Sequence, residues 1–153
     1  MINYYQFYQS DQCFSKTFVP YDGSSHSKHA FKVALDMAKK YNSKISTVSV
    51  LDISSRHLGD PILCDKAMRW VKNHITKEFE SLESIAKKAK VPFHSEIIDD
   101  KSVTKTIASH SKSKKFDVAV MGAHGTSGLG KFSLGSVTDS VIHRVRCPGV
   151  IVR

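Results

Sequence analysis

The sequence predicts one α/β domain: a doubly wound, five-stranded parallel sheet with helices on both faces. Three observations lead there. Short β-branched apolar runs alternate with longer stretches whose apolar residues recur every three or four positions, the pattern of parallel strands joined by helices. The chain has 153 residues, the size of one domain with a core of its own. Its apolar fraction of 41% and charged fraction of 24% are ordinary for a globular chain.

Residues 1–15 hold Tyr4, Tyr5, Phe7 and Tyr8 without a sustained period and read as an extension to a domain at 16–153. The first strand is Lys16 to Tyr21, stopped by the turn cluster Asp22-Gly23-Ser24-Ser25. Ala30, Phe31, Ala34, Leu35, Ala38 and Tyr41 mark one face of the first helix. Ile45, Val48 and Val50 belong to the second strand, and Asp52 to Pro61 is a polar loop. The stripe from Ala67 through Val71, Ile75, Phe79, Leu82 and Ala86 to Ala89 predicts the longest helix, over about 64–90. Pro92 ends it, and Phe93 to Ile98 is the third strand. A short helix follows with Val103, Ile107 and Ala108 inward, and Lys112 to Lys115 is expected as an exposed connection. Val118 to Met121 is a fourth, buried strand. The last helix carries Val137, Val141, Ile142 and Val145. Pro148-Gly149 stops it before a terminal strand, Val150 to Val152.

Sheets of this kind bind ligands beyond the carboxyl ends of strands where the strand order reverses. Tyr21-Asp22 and Met121-Gly122, at the ends of the first and fourth strands, flank such a crevice. After the fourth strand come Gly122, Gly125, Gly128 and Gly130, then Gly135-Ser136 at the head of a helix. Strand, glycine loop and helix N-terminus form a cradle for an anion. Glycines permit close backbone approach and positive φ. Loop and helix N–H groups point at negative charge. Ser136 is placed to cap the helix or to bond an anion, and Lys131 adds a mobile cation. A P-loop is excluded, because Phe132 follows Lys131 where a magnesium-binding Ser or Thr belongs. The G-x-G-x-x-G fingerprint fails too, with Ser133 in place of its third glycine.

The motif Gly122-x2-Gly125-x9-Gly135-Ser136, together with Val19-Pro20-Tyr21-Asp22-Gly23-Ser24 and Cys147-Pro148, resembles the universal stress protein family and its ATP-binding subgroup. The resemblance spans about Lys16 to Arg153 and implies a sheet in the order 3-2-1-4-5, a Rossmann-like fold of the adenine nucleotide alpha hydrolase type. It implies ATP, or AMP or ADP, as ligand. Pro20 and Asp22 would line the base and ribose, and the Val50 backbone would meet the adenine edge. Met121, Gly122, His124, Gly125, Thr126 and Ser127 would wrap ribose and phosphates. Gly135, Ser136 and Val137 would hold phosphate through N–H groups, beside Lys131. Asp22 suits the task as an acceptor for ribose hydroxyls or an adenine amine; the same residue before Gly23 also reads as an Asx-turn. Any magnesium would come with the phosphates.

Phosphoryl transfer needs a positioned base and charge clamps. The sequence offers donors but no convincing base, so no catalytic residue is assigned, and slow ATP hydrolysis is the most that is expected. His26 with His29, and His143 with Cys147, fall short of a zinc ligand set. Cys13, Cys64 and Cys147 are odd in number and irregularly spaced, which fits a reducing cytoplasm. No apolar run spans a bilayer and the N-terminus lacks a signal-peptide pattern. Two alternatives stay open, the first suggested by the formal charge of +9, from 23 Lys and Arg against 14 Asp and Glu. One is a basic nucleic-acid-associated protein, although no reader motif is present. The other is a family member that binds no nucleotide. The apolar terminal strand reads as a sheet edge, and edge and resemblance alike point to a homodimer through it. Gly149 stands where the family usually has an apolar strand residue.

Overall fold

The computed structural model describes residues 14–53, 60–125 and 134–153. The expected N-terminal extension up to residue 13, with its four aromatics, lies outside them. In chain order the elements are β1 (Lys16–Pro20), α1 (Ser25–Tyr41), β2 (Lys44–Asp52), α2 (Pro61–Lys88), β3 (Phe93–Asp100), α3 (Val103–Lys114), β4 (Val118–Gly122), α4 (Ser136–Ile142) and β5 (Gly149–Val152). They build one five-stranded sheet, β3-β2-β1-β4-β5, parallel throughout. The order reverses at β1: the chain steps outward through β2 to β3, then returns to lay β4 on β1's other side.

Side-chain alternation sorts the central strands onto two cores. Val19, Val118 and Val120 pack with Ala30, Phe31 and Ala34 of α1 and with Ile75, Phe79 and Leu82 of α2. Phe18, Ala119 and Met121 pack on the opposite face with Ile107 of α3 and Val141 of α4. β1 and β4 are buried on both faces, which explains why they read as continuous apolar runs.

Four features differ from expectation. α2 begins at Pro61, earlier than the apolar stripe indicates, because Asp60 caps it: the carboxylate accepts from the N–H groups of Ile62 and Leu63 at 2.8 and 3.3 Å. Ile62 and Leu63 are exposed and so carry no inward period. α3 continues through Lys112 to Lys114, since Ile107, His110 and Ser111 bury one of its faces. α4 ends at Ile142, leaving Val145 in a following turn whose N–H bonds the Val141 carbonyl. Tyr41, expected inward, is partly exposed and meets the ring of Phe14 edge-on at 5.3 Å. Among the described residues no helix is long and apolar enough to cross a membrane.

Candidate functional site

β1 and β4 pair only at Thr17 with Val118 and Phe18 with Ala119, then part. The strand ends therefore diverge, and a cleft of about 160 Å³ opens between them. Pro20, Asp22, Val50, Met121, Gly122, His124, Gly125, Gly135, Ser136 and Val137 line it together. Thr126, Ser127 and Lys131, the other candidates, lie outside the described residues.

The cleft floor is held by short bonds between β4 and α4. Thr138 donates its hydroxyl proton to the Gly122 carbonyl at 2.8 Å, and the Gly135 N–H donates to the Ala123 carbonyl at 2.8 Å. Gly135 itself is the N-cap of α4, in extended geometry and with no side-chain cap. Ser136 is thus the first helical residue and not the cap, which corrects one of the two roles expected for its hydroxyl. The first-turn N–H groups of α4 have no intrahelical acceptor, as at any helix start. They lie at the cleft with Ser136 and the half-exposed Val137.

Gly122, Gly125 and Gly135 are small for closeness and not for dihedral freedom. Among the described residues, Gly23 is the glycine with positive φ, at 81°. A Cβ on Gly125 would stand 2.7 Å from Oδ2 of Asp22, and one on Gly135 would stand 3.3 Å from the His124 Cα. Asp22 also makes the Asx-turn, its Oδ1 accepting from the Ser24 N–H at 3.0 Å. Ser24 in turn caps α1 by accepting from the Ser27 N–H at 3.1 Å. The Asx-turn reading of Asp22 holds: one carboxylate oxygen fixes the turn while the other faces Gly125.

Tyr21, expected at the crevice as the end of the first strand, lines the cleft, and the sequence reading missed Ser27, Val48, Val103, Ile107 and Thr138, which also line it. Val48 was available from the period of two that places it on Val50's face. Val103 and Ile107 read as ordinary core, and nothing in their pattern separates lining a cleft from filling one. Tyr21 is buried and donates to Oε2 of Glu78 at 2.6 Å, and Glu78 also pairs with Lys28 at 3.0 Å. Burial first, and then the Glu78 carboxylate, push the Tyr21 phenol far above its ordinary range. The same bond, aided by Lys28, holds the Glu78 carboxyl below its usual value.

His26, on the first turn of α1, and His124 meet edge to face with ring centroids 5.2 Å apart. His29 turns instead to the Arg153 carbonyl, 3.0 Å from Nδ1. Among the described residues no three His, Cys, Asp or Glu side chains converge as a metal set. The apolar walls of Pro20, Val48, Val50 and Ile107 suit a flat apolar ring. The start of α4, with its backbone N–H groups and Ser136, suits anionic oxygens.

A model of the universal stress protein family matches residues 14–153. The universal stress protein YxiE of Bacillus subtilis is 30% identical over 147 residues, covering 92% of this chain and 99% of the relative. A universal stress protein of Methanocaldococcus jannaschii is 29% identical over 147 residues, covering 94% and 84%. Among solved structures, UspA from Lactobacillus plantarum superposes with a TM-score of 0.77 at 21% identity, over 92% of this chain and 98% of that one. Several neighbours hold nucleotides, and two of them serve as examples. One is a universal stress protein from Archaeoglobus fulgidus in complex with dAMP, with a TM-score of 0.68, 14% identity and coverage of 93% and 100%. The other is a family protein from Arabidopsis thaliana with AMP bound, with a TM-score of 0.66, 18% identity and coverage of 90% and 90%. With the family match running through every described element, the chain belongs to the universal stress protein family.

Proposed function

We propose that this chain is a regulatory module that binds an adenine nucleotide, ATP or its products ADP and AMP, in the cleft between β1 and β4. The observation that carries the reading is the convergence of Pro20, Asp22, Val50, Met121, Gly122, His124, Gly125, Gly135, Ser136 and Val137 on one cavity. Its apolar side takes the base, and Asp22 accepts from the ribose hydroxyls. The N–H groups of Gly135, Ser136 and Val137 meet phosphate, and the family resemblance assigns Thr126, Ser127 and Lys131 to the ribose and phosphates. The neighbours that carry AMP and dAMP support a nucleotide of this class.

Magnesium, when it accompanies the nucleotide, takes phosphate oxygens and water as ligands, in keeping with its reluctance to dehydrate. The protein's task is to bind, orient and release. Hydrolysis, if it occurs, is slow and acts as a timer. The setting that suits this reading is the cytoplasm, where ATP is abundant, with residues 1–15 as an extension to the binding domain.

Two measurements test the reading. Native mass spectrometry of gently purified protein is expected to reveal an adenine nucleotide by its mass. Calorimetry on nucleotide-free protein is expected to give saturable binding of ATP at micromolar concentration, about −8 kcal/mol. A folded protein that binds none of ATP, ADP or AMP refutes the proposal. Tight binding of duplex DNA that persists at physiological salt would favour the nucleic-acid alternative.

A further inference from the structure

A second cavity opens at the opposite end of the sheet. It has a volume of about 270 Å³ and sits where β1, β2 and β3 begin, beside the carboxyl end of α3. Five residues of β1, rising roughly 3.3 Å each, separate it from the nucleotide cleft.

A local size mismatch accounts for the depression. Across the sheet, Ser46 of β2 lies in register between Phe18 of β1 and His94 of β3. A serine between two rings leaves a hollow on the face that α3 only partly covers. His110 of α3 and Phe116 line the hollow. Their rings stack with Phe18: Phe18 and Phe116 are 4.7 Å apart and within 9° of parallel, and His110 lies 5.8 and 5.9 Å from the two. The lining is thus aromatic and rigid.

Three lysines are among its lining residues: Lys16 at the start of β1, Lys44 at the start of β2, and Lys114 in the last turn of α3. Among the described residues none of the three is ion-paired. The nearby Asp117 is turned to β1, where its Oδ2 accepts from the Ser15 hydroxyl and the Lys16 N–H at 2.7 and 2.8 Å. Glu96 on β3 is the carboxylate whose charge reaches His110, opposed by Lys114 and His94. Three lysines beside a largely buried aromatic wall attract an anion whose body is itself apolar and flat.

We propose that this cavity is a second binding site, taking a small aromatic acid: a single ring that bears a phosphate or carboxylate. The anionic group sits among Lys16, Lys44 and Lys114, and the ring enters the hollow over Ser46 against His110 and Phe116. The volume is just below the usual range for drug-sized ligands, about 300–1,000 Å³, and accommodates one ring with its anionic group. The site does not depend on the nucleotide reading, since the two cavities share no residue.

The test is a titration of the isotope-labelled full chain with phenyl phosphate, following the ring signals of His110 and His94 by NMR, with and without saturating AMP. Saturable shifts are expected with a dissociation constant of about 1 mM or tighter, unchanged by AMP. Inorganic phosphate should bind at least about tenfold more weakly, lacking the ring. The Lys44→Glu, Lys114→Glu double variant should lose roughly tenfold or more. Ser46→Leu should lose as much with every charge in place, because it fills the hollow. Both variants are checked for a native amide spectrum. The proposal is overturned by absence of a saturable shift, by displacement with AMP, or by inorganic phosphate binding equally well. Full binding in a folded Ser46→Leu protein, which would leave only a basic surface, also overturns it. So does a short DNA duplex that shifts the same signals more tightly, which would make this a nucleic-acid face.

Discussion

A Cβ placed on Gly122 would lie 2.7 Å from both the carbonyl carbon and the Cβ of His26, where α1 starts. At Gly125 the obstruction is a side chain, Oδ2 of Asp22 at 2.7 Å. These two glycines of one motif therefore answer to different demands. Gly122 lets α1 close onto β4, and backbone cannot step aside as the end of a side chain can. Gly122→Ala should destabilise the fold by about 1–3 kcal/mol, the usual range for overpacking, seen as a lower urea midpoint even without nucleotide. An unchanged midpoint would mean that α1 moves away at little cost. Gly125→Val should instead fold and lose ATP affinity by at least roughly tenfold, about 1.4 kcal/mol, because the added carbons push Asp22 from the cleft and occupy phosphate space. Calorimetry decides it: equal ATP affinity in a folded Gly125→Val protein would remove this part of the loop from the site. Sequence alone presents the motif glycines as equivalent, since the atoms that distinguish them, on His26 and Asp22, are remote in the chain.

Among the elements, α3 shows where sequence reading stops. Its run of Ser and Lys residues looks like a solvated connection, yet His110 and Ser111 are buried and the helix runs on to Lys114. The strands and α1 are legible because burial on a sheet imposes a strict period; alternation alone assigns Phe18 and Val19 to opposite faces. The β1 and β4 side of the cleft is legible for the same reason, since motif residues sit at strand ends. The α3 side is not, because inward apolar residues look alike whether they meet side chains or a cavity. Burial of His110 on α3 has a pH consequence. Desolvation pushes its pKa below the ordinary 6.5, and Lys114 and His94 push the same way against Glu96. The unfolded chain then binds the proton more readily than the folded one. Stability from this group is complete above about pH 6.5, the unfolded value, and is lost as pH falls through the lowered folded value. Melting temperature should therefore drop between pH 7 and pH 5, and His110→Phe, which keeps a ring beside Phe18 and Phe116, should flatten that dependence. An identical pH slope in wild type and His110→Phe would show that other groups govern it. Glu78, whose carboxyl is held low by Tyr21 and Lys28, adds a separate loss below its ordinary 4.5.

At the scale of the whole molecule, the order β3-β2-β1-β4-β5 leaves two edges, and they are unlike. β3 carries His94, Glu96, Asp99 and Asp100, with Asp99 paired to Lys72 of α2, and charge of this kind discourages pairing with another chain. β5 has no charge before Arg153, and Val150 and Ile151 are only half-buried. At Gly149, the start of β5, the end of the Ile142 side chain occupies the space a Cβ would take, so the apolar edge is short. We infer that two copies pair antiparallel through β5 about a two-fold axis, which satisfies both edges and closes the assembly. The formal charge of +9 on each chain opposes this association and makes it weaker at low ionic strength, where repulsion is less screened. Ile151→Lys adds charge within the contact. In sedimentation at micromolar concentration, wild type should run as a dimer and Ile151→Lys as a monomer, and added salt should strengthen the wild-type dimer. Ile151 also touches the core beneath α3 and α4, so the variant must keep its circular dichroism spectrum for the comparison to count. A monomeric wild type, or a folded Ile151→Lys protein that stays dimeric, would move any interface away from β5.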